Sequence, residues 1–468
     1  MGIRSLFATS MDVLANLPLS KTTLPLALTI GLAFSPALLQ AQVIDPGAYF
    51  TRTVGGVHID AHGVLRNATV ESDEGLDELR VSLLGAQGEL AQPTKSRLIS
   101  LKAVRDLVED SNKNGTIIPE DAAFLGGLTA VENVFVYPER NDIVIAGPAE
   151  PWHVGPNGTV VGIKSGKPII HLDDLLNALK SVEAARKTGI SVSIEPTQEG
   201  SARLNHLLSQ VKQNGNNVNW AALEPAMREA FGPQQVLLNG LAPNTHMARV
   251  LLAADYKMKL YGMKLVAPPV KGLPSYLDMV SKSPARNVQS RWWMACDYDS
   301  IEHSKDHLAW KLSSRGIKTM TEEEYVAGDG SYKTKGKSNP VAQKWADLFT
   351  SKLDEITVHE PVFGELRNVM DLCVVAAIIE SNHLEDLANC DLSYLTGDTS
   401  QVKLQEIEFP TSLDPQCSFV KTTRETHISA SGGVEINSWL EASKAVESNK
   451  IAASDLGKEW KTAGRIWQ

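Results

Sequence analysis

The sequence predicts an α/β protein, with a mixed α+β arrangement as the alternative, built as two α/β halves that follow a cleavable signal peptide. Segments with a helical spacing of apolar residues alternate with β-like runs of period two, and Gly, Pro and Asn separate them. A chain of 468 residues also suggests two or three domains, at ~150 residues per domain. The predicted division is a signal peptide at 1–41, a strand-rich segment at 42–95, a first α/β domain at 96–231 and a second α/β domain with a central buried helix at 232–468.

The N-terminal region predicts export. Arg4 and Lys21 precede the uncharged run LPLALTIGLAFSPALL at 24–39. This run is shorter than the ~20 apolar residues of a membrane span, but it suits the apolar region of a secretory signal. Cleavage after Ala41 would leave Gln42 as the mature N-terminus, and an uncleaved membrane anchor is the alternative. We therefore expect an exported protein, in the periplasm, on the cell surface or secreted, that meets a membrane only during export.

The first half of the mature chain starts with strand-like sequence and continues as alternating helices and strands. Residues 138–141 are turn formers between two β-runs, and Gly189 ends an amphipathic helix. In order, the predicted elements are strand sequence at 55–71, a helix from Ser96 through Val108, strands at 132–137 and 142–147, a helix at 171–189, a strand at 190–196, and helices at about 199–213 and 219–231.

The second half repeats this alternation and contains the most apolar helix of the chain. Asn339 is placed to cap one helix, with Pro340 at its first position. The helix at 360–382 is polar along one early stripe and apolar all round later, so we expect it to be buried. The predicted elements are a strand at 231–240, a helix at 245–263, a strand at 290–300, and helices at 339–356 and 360–382.

Charge and cysteine usage limit the classes of partner. The formal net charge is −10 and the pI is about 5.6, so the overall field repels phosphate backbones and we expect no nucleic-acid partner. A CxxC pair is typical of redox and zinc sites, and the four cysteines include no such pair. Cys390 and Cys417 both lie in loop-like sequence and form the predicted disulfide. Cys373 lies in the apolar run LCVVAAII, where we expect a buried, inert thiol.

The stretch DSNKNGTIIPED at 110–121 resembles an EF-hand calcium loop. Such a loop places oxygen ligands at fixed positions and Gly at position six, which is Gly115 here. Position twelve is an Asp rather than the longer Glu, and no second loop is available to pair with it. The alternative is a helix that stops at Asn-Gly and then turns. The candidate calcium ligands are Asp110, Asn112, Asn114, Thr116 and Asp121.

A polar stripe at the start of the 360–382 helix is the candidate catalytic group. Glu365, Asn368 and Asp371 recur at intervals of three residues, which places them along one side of a helix. Arg367 is adjacent, and Asp255 of the earlier helix could pair with the stripe if the two helices touch. Partly buried carboxylates have raised pKa values and can act as general acids or bases. The alternative is a buried ion-pair and hydrogen-bond network that fixes packing.

Several long strings of the chain occur together in one order, which permits a comparison with a family. They are VFVYPERNDIVIAGPAEPW at 134–152, ARVLLAADYKMKLYGM at 248–263, VKGLPSYLDM at 270–279, SRWWMA at 290–295 and PVFGELRNVMDLCVVAAII at 361–379. With these strings the chain resembles a planctomycete-type family of exported proteins that is defined only as a domain of unknown function. The likeness covers about residues 50–465. It implies export and a shared fold, and it implies no site residue, because the family has no assigned activity.

These observations favour an exported protein with a non-catalytic binding or structural role at the cell envelope, with an envelope or extracellular partner that the sequence does not name. The sequence contains no complete catalytic motif such as GxSxG or HExxH. One alternative is a hydrolase that acts on an envelope or extracellular polymer through the buried carboxylates. Another is an extracellular module that calcium stabilises through the 110–121 loop, and apart from calcium no cofactor is expected.

Overall fold

The computed structural model describes residues 53–59, 64–67, 88–155, 158–214, 220–280, 289–326, 332–334, 336, 339–397, 407–421, 425–451 and 466–467. The predicted signal peptide at 1–41 lies outside these residues, as does most of the segment at 42–95. The chain from Asp45 to Gln468 forms one compact unit. No helix within the described part of the chain combines the length and the apolar character needed to cross a membrane.

The described residues contain thirteen α-helices and three short 3-10 turns, which confirms the predicted mixture of helices and strands. The 3-10 turns are Gly88–Ala91, Leu125–Gly127 and Pro138–Arg140. The helices are α1 (Leu101–Asn114), α2 (Glu120–Ala123), α3 (Leu172–Thr188), α4 (Gln198–Asn214), α5 (Trp220–Phe231), α6 (His246–Gly262), α7 (Tyr276–Val280), α8 (Pro340–Ser351), α9 (Leu353–His359), α10 (Val362–Ser381), α11 (Leu384–Ala388), α12 (Ser393–Thr396) and α13 (Ser438–Ser443).

The strands of the described residues form one large mixed sheet and two small antiparallel sheets. The strands are β1 (Thr53–Val54), β2 (Val57–Ile59), β3 (Leu65–Asn67), β4 (Thr94–Ser100), β5 (Asn133–Tyr137), β6 (Asp142–Ala149), β7 (Trp152–Val154), β8 (Val160–Gly162), β9 (Ile190–Pro196), β10 (Gln234–Asn239), β11 (Gln289–His303), β12 (Ala309–Val326), β13 (Tyr332–Thr334), β14 (Ser412–Leu413), β15 (Cys417–Lys421), β16 (Glu425–Ser431), β17 (Gly433–Ile436) and β18 (Val446–Glu447).

The large sheet has the order β14-β10-β9-β17-β11-β12-β5-β6-β4 among its described strands. Most neighbours are antiparallel, and the long β11–β12 hairpin lies in the middle of this order. On its other side β11 pairs in parallel with β16, β17 and β18. Strands β1, β2 and β3 form one small sheet, and β7 with β8 forms the other.

The two predicted halves share this large sheet. Strand β9 comes from the first half, and it pairs with β10 and β17 of the second half. The boundary between residues 231 and 232 therefore does not separate two sheets. Periodicity within single segments gives no information about which strands pair over a long sequence distance, so the sequence could not exclude a shared sheet.

The start of α1 also differs from its predicted start at Ser96. Residues 94–100 form strand β4, which pairs with β6, and α1 begins only at Leu101. Ser100 caps this helix, because its hydroxyl accepts a hydrogen bond from the backbone N–H of Ala103 at 3.0 Å. The same hydroxyl donates to Asp142 at 2.7 Å, so the strand-to-helix junction is fixed to the neighbouring strand. Strand pairing overrides the helical spacing of these residues.

Helix α10 runs through the core of the described chain. Residues from Val362 to Ile379 are buried except Arg367, in keeping with a helix that lacks a polar face over most of its length. It packs against α3, α6 and α13 and against strand β12. Helix α6 is buried along nearly its whole length as well. Polar side chains on α6 and α10 are therefore removed from water and must find partners inside the protein.

Candidate functional site

A cluster of two histidines and two carboxylates, all buried except the half-buried His171, lies where the N-terminal ends of α3, α6 and α10 meet. His246 is the first residue of α6, and Asp174 and Glu365 lie in the first turns of α3 and α10. His171 is the residue that precedes α3. His246, Asp174 and Glu365 are 9%, 5% and 3% exposed. We call these four residues the histidine–carboxylate centre.

His246 lies between the two carboxylates. Its Nδ1 is 2.9 Å from Oδ2 of Asp174, and its Nε2 is 3.7 Å from Oε1 of Glu365. The ring of His171 stacks on the ring of His246, with the centroids 4.4 Å apart and the planes at 12°. Phe124 packs against the edge of the His171 ring at 5.3 Å. The centre is therefore held both by ion pairs and by ring packing.

The two imidazoles have opposite proton affinities. Burial disfavours the charged form of His246, but the carboxylates of Asp174 and Glu365 outweigh burial and hold its pKa well above the ordinary value. Burial, together with the charge of His246, lowers the pKa of His171 to about 3. At neutral pH His171 is therefore a neutral imidazole beside a charged one.

Two polar atoms of the centre have no hydrogen-bond partner among the described residues. They are Nε2 of His171 and Oε2 of Glu365, and both are buried. Buried polar atoms without a partner are uncommon in folded proteins. One ligand atom each from His171, Asp174 and His246 lies within 4.8 Å of the others, so these three side chains could hold a metal ion. Without an ion, the same arrangement stabilises His246 as a charged imidazolium, with one ring nitrogen facing Asp174 and the other facing Glu365.

The structure brings one member of the predicted polar stripe, Glu365, into this centre. Asn368 instead donates from Nδ2 to the carbonyl of Pro168 at 3.1 Å, and thus binds the segment that leads to His171. Asp371 accepts a hydrogen bond from the hydroxyl of Tyr298 on β11. Burial raises the pKa of Asp371 to about 7, although the Tyr298 hydrogen bond and the charge of Arg367 oppose this rise. The three residues share a helix but have separate partners.

The other two catalytic candidates, Arg367 and Asp255, also lie outside the centre. Arg367 pairs with Asp354 at 3.3 Å, near the surface. Asp255 pairs with Lys259, one turn further along α6, at 2.8 Å, and both side chains are fully buried. The ammonium of Lys259 also donates to the carbonyls of Ile194 and Gly432 at 3.1 and 2.9 Å. Burial raises the pKa of Asp255 to about 7 against the opposing charge of Lys259.

The stretch predicted as a calcium loop forms a helix end and a turn, which is the alternative that the sequence left open. Asp110, Asn112 and Asn114 are within α1, and Gly115 ends it in the left-handed conformation with φ of 64°. The backbone N–H of Thr116 donates to the carbonyl of Ser111 at 2.9 Å. An EF-hand carries its ligands at positions one, three and five in a loop and not in a helix. Calcium binding itself stays an untested prediction.

The side chains in this stretch have local partners as well. Nδ2 of Asn112 donates to the hydroxyl of Tyr394 at 2.8 Å. Oδ1 of Asp121 accepts from the backbone N–H of Ala122 at 2.8 Å, at the start of α2. These contacts tie α1 to α12 and support the turn. The Asp121 bond uses an oxygen that a calcium ion would need, whereas the Asn112 bond uses the amide nitrogen and leaves its oxygen unused by that contact.

The cysteines give the predicted disulfide no support. Cys390 is a free, buried thiol, and the side chain of Cys417 is not among those described. The Cys390–Cys417 bond therefore stays a prediction. Cys373 is a free, buried thiol, and burial raises the pKa of Cys373 above its usual range, so it resists conversion to a reactive thiolate.

Sequence reasoning missed His171, Asp174 and His246. His171 and Asp174 stand three residues apart at a helix start, a spacing that is common in capped helices and does not by itself indicate a site. His246 lies 72 residues after Asp174, so only the packing of α6 against α3 brings them together. The one local signal was a histidine at the first position of helix α6, directly after its capping residue Thr245.

The fold and this centre define a mixed α/β protein with a buried histidine–carboxylate cluster. Residues 192–276 match a family model described as Protein of unknown function (DUF1598), which confirms the resemblance to a domain of unknown function. The matched segment includes β10 and all of α6, and thus His246, Asp255 and Lys259. No curated protein and no solved structure matches the chain.

Proposed function

We propose that this protein is an exported, non-catalytic component of the cell envelope with a binding or structural role. The observation that carries the proposal is the pairing of the polar residues on the two central helices with fixed partners on other elements. Asp371 bonds to Tyr298 of β11, and Asn368 bonds to the carbonyl of Pro168. Lys259 donates to the carbonyl of Ile194 within β9 and to the carbonyl of Gly432, which directly precedes β17.

Such contacts suit a scaffold better than an active site. A general acid or base must reach a proton on its substrate, so it needs an open approach. Asp255 and Lys259 are 0% exposed, and Asp371 is 6% exposed with its Oδ1 already bonded. The interior is held by paired charges and directed hydrogen bonds, which fix the relative positions of α6, α10 and the sheet.

Export is supported by the N-terminal sequence, with its charged start and its uncharged run at 24–39. The test is expression of the full chain with a C-terminal tag, followed by cell fractionation and mass spectrometry of the mature N-terminus. We expect the protein outside the cytoplasm, with Gln42 as its first residue. Leu28→Arg should keep it inside, and Leu28→Val is the matched control. Retention of the unaltered chain in the cytoplasm would contradict the proposal.

The scaffold role is tested with Glu365→Gln and Asp371→Asn. We expect both variants to lower the thermal melting temperature, since each changes a buried carboxylate. A pair of variants that melts like the unaltered protein, but loses capture of an envelope ligand, would instead assign these residues to a binding site.

One observation favours a hydrolase as the second candidate. Oε2 of Glu365 and Oδ1 of Asn368 are buried without a hydrogen-bond partner, and they lie one helical turn apart on α10. The Glu365 carboxylate could act as a general base toward a water molecule, and the Asn368 amide oxygen could accept a hydrogen bond that orients this water. The purified protein would be incubated with peptidoglycan and with extracellular polysaccharide. Release of soluble fragments that Glu365→Gln abolishes would replace the non-catalytic proposal with this one.

A further inference from the structure

The histidine–carboxylate centre has the donor set of a transition-metal site. His171, Asp174 and His246 each offer one ligand atom, and these three atoms lie within 4.8 Å of one another. A four-coordinate zinc ion holds imidazole nitrogens and carboxylate oxygens at roughly 2.0–2.2 Å, so neighbouring ligand atoms lie about 3–4 Å apart. Coordination also requires the stacked rings of His171 and His246 to turn out of their present 12° arrangement, because a metal ion lies in the plane of each imidazole that binds it.

We propose that His171, Asp174 and His246 bind one divalent transition-metal ion of the zinc class. In this site His171 contributes Nε2, His246 contributes Nδ1 and Asp174 contributes a carboxylate oxygen. Glu365 is a positioning residue on the far side of the His246 ring. The inference goes beyond the proposed function and does not depend on it, because a metal ion could stabilise either a scaffold or an enzyme.

The unpaired atoms of the centre argue for a missing partner. Nε2 of His171 is buried and has no hydrogen-bond partner among the described residues. A neutral imidazole with a free nitrogen is the form that binds metals. A cation beside it would also replace the proton that His246 now holds against Asp174.

Glu365 fits the role of an orienting carboxylate. Metal-binding histidines almost always donate their second ring N–H to a carboxylate, a carbonyl or water, which fixes the tautomer and the ring orientation. Glu365 Oε1 faces Nε2 of His246 at 3.7 Å, opposite the Asp174 side of the ring. Asp174, His246 and Glu365, which lie at the N-terminal ends of three separate helices, are thereby held in one arrangement before an ion enters.

The donors select the class of metal. Two imidazoles and a carboxylate suit zinc and its neighbours, whereas calcium and magnesium prefer sites made of oxygen alone. The N-terminal ends of α3, α6 and α10 carry partial positive charge, which opposes a cation. The carboxylates of Asp174 and Glu365 offset this charge, so we expect an affinity below that of zinc sites with four protein ligands.

The first experiment is calorimetry on the purified full chain after chelation and dialysis. We expect Zn²⁺ to bind at one equivalent and Ca²⁺ and Mg²⁺ not to bind at this site. His171→Gln and Asp174→Asn should each remove the zinc heat, and Glu365→Ala should weaken affinity by about 10–100-fold while the stoichiometry stays at one. His303→Gln, which alters a histidine on the β11–β12 hairpin, is the matched control and should leave binding unchanged.

A measurement on the unaltered protein keeps the test decisive even if a variant fails to fold. X-ray absorption at the zinc edge counts imidazole ligands directly, and we expect two histidines with the remaining ligands oxygen. Absence of zinc binding, zinc bound without two imidazoles, or zinc heat that survives His171→Gln and Asp174→Asn in folded protein would each overturn the proposal.

Discussion

The hydroxyl of Tyr298 lies 2.6 Å from Oδ1 of Asp371, and this hydrogen bond joins the long strand β11 to the buried helix α10. Asp371 is 6% exposed, so its carboxylate has little access to water and depends on this donor. The pair connects residues 73 positions apart, which no local sequence pattern could have matched. It is one of several directed contacts that hold α10 in the core.

Tyr298→Phe should therefore destabilise the protein by about 1–3 kcal/mol, because a buried acceptor loses its hydrogen bond. Urea unfolding followed by circular dichroism would measure the change. Tyr394→Phe is the matched control, since its hydroxyl accepts only from the side chain of Asn112 near the surface, and it should cost about 1 kcal/mol or less. Equal costs at the two tyrosines would contradict the importance given to the Asp371 contact.

Asp371→Asn should change how stability depends on pH. Burial raises the pKa of Asp371 to about 7 in the folded protein, above its unfolded value. Its stabilising contribution is thus fully present below about pH 4 and is lost as the pH rises to about 7. We expect the free energy of unfolding of the unaltered protein, minus that of Asp371→Asn, to fall across this range and to be constant above it. Asp354→Asn removes an exposed carboxylate and is the matched control. A free-energy difference between the unaltered protein and Asp371→Asn that rises with pH would refute the raised pKa of Asp371.

Lys259→Met should be strongly destabilising, by about 3–5 kcal/mol, because it leaves Asp255 buried without its counter-ion. The double variant Lys259→Met/Asp255→Leu removes both charges and should cost less than the single variant. Thermal melts of the three proteins at one pH would test this. Additive costs in the double variant would show that the two side chains do not act as a pair.

Calcium at several millimolar should not raise the melting temperature through the stretch at 110–121. Asp110, Asn112 and Asn114 are held in α1, and Gly115 ends that helix, so the five candidate ligands are not arranged as a loop. A ligand that binds the native state raises stability with the logarithm of its concentration, so weak binding would be visible in this range. A shift that Asp110→Ala abolishes would reinstate the calcium loop.

Gly433→Ala should destabilise the sheet by about 3 kcal/mol, at the upper end of the about 1–3 kcal/mol that overpacking a fixed site costs. A Cβ at this position would lie 1.7 Å from the backbone oxygen of Val192, where β17 meets β9. Gly115→Ala is the contrast, because its Cβ would meet nothing within 4 Å and only the left-handed backbone costs about 1–2 kcal/mol. Similar losses in guanidinium unfolding would argue against the close approach of these strands.

The sequence by itself determined the local elements where one physical signal dominated. Gly189 ends α3 after an amphipathic run, and the period-two stretch 190–196 is strand β9. Asn339 caps α8 with its side chain, as the Asn-Pro start predicted. The apolar surface of the 362–381 helix implied burial, because a helix without a polar face has no favourable side toward water. At 110–121, the Asp at position twelve and the Asn-Gly pair also indicated a helix stop as the alternative to a calcium loop.

Only the tertiary structure decided which distant residues meet. The pairing of β9 with β10 and β17 joins the two predicted halves, and the strand at 94–100 forms because β6 lies beside it. The same packing brings Asp174, His246 and Glu365 together from three helices, and it places Asp371 beside Tyr298. Periodicity reports the environment of a residue along one element, whereas a site depends on contacts between elements, and those contacts are set by the packing of the whole core.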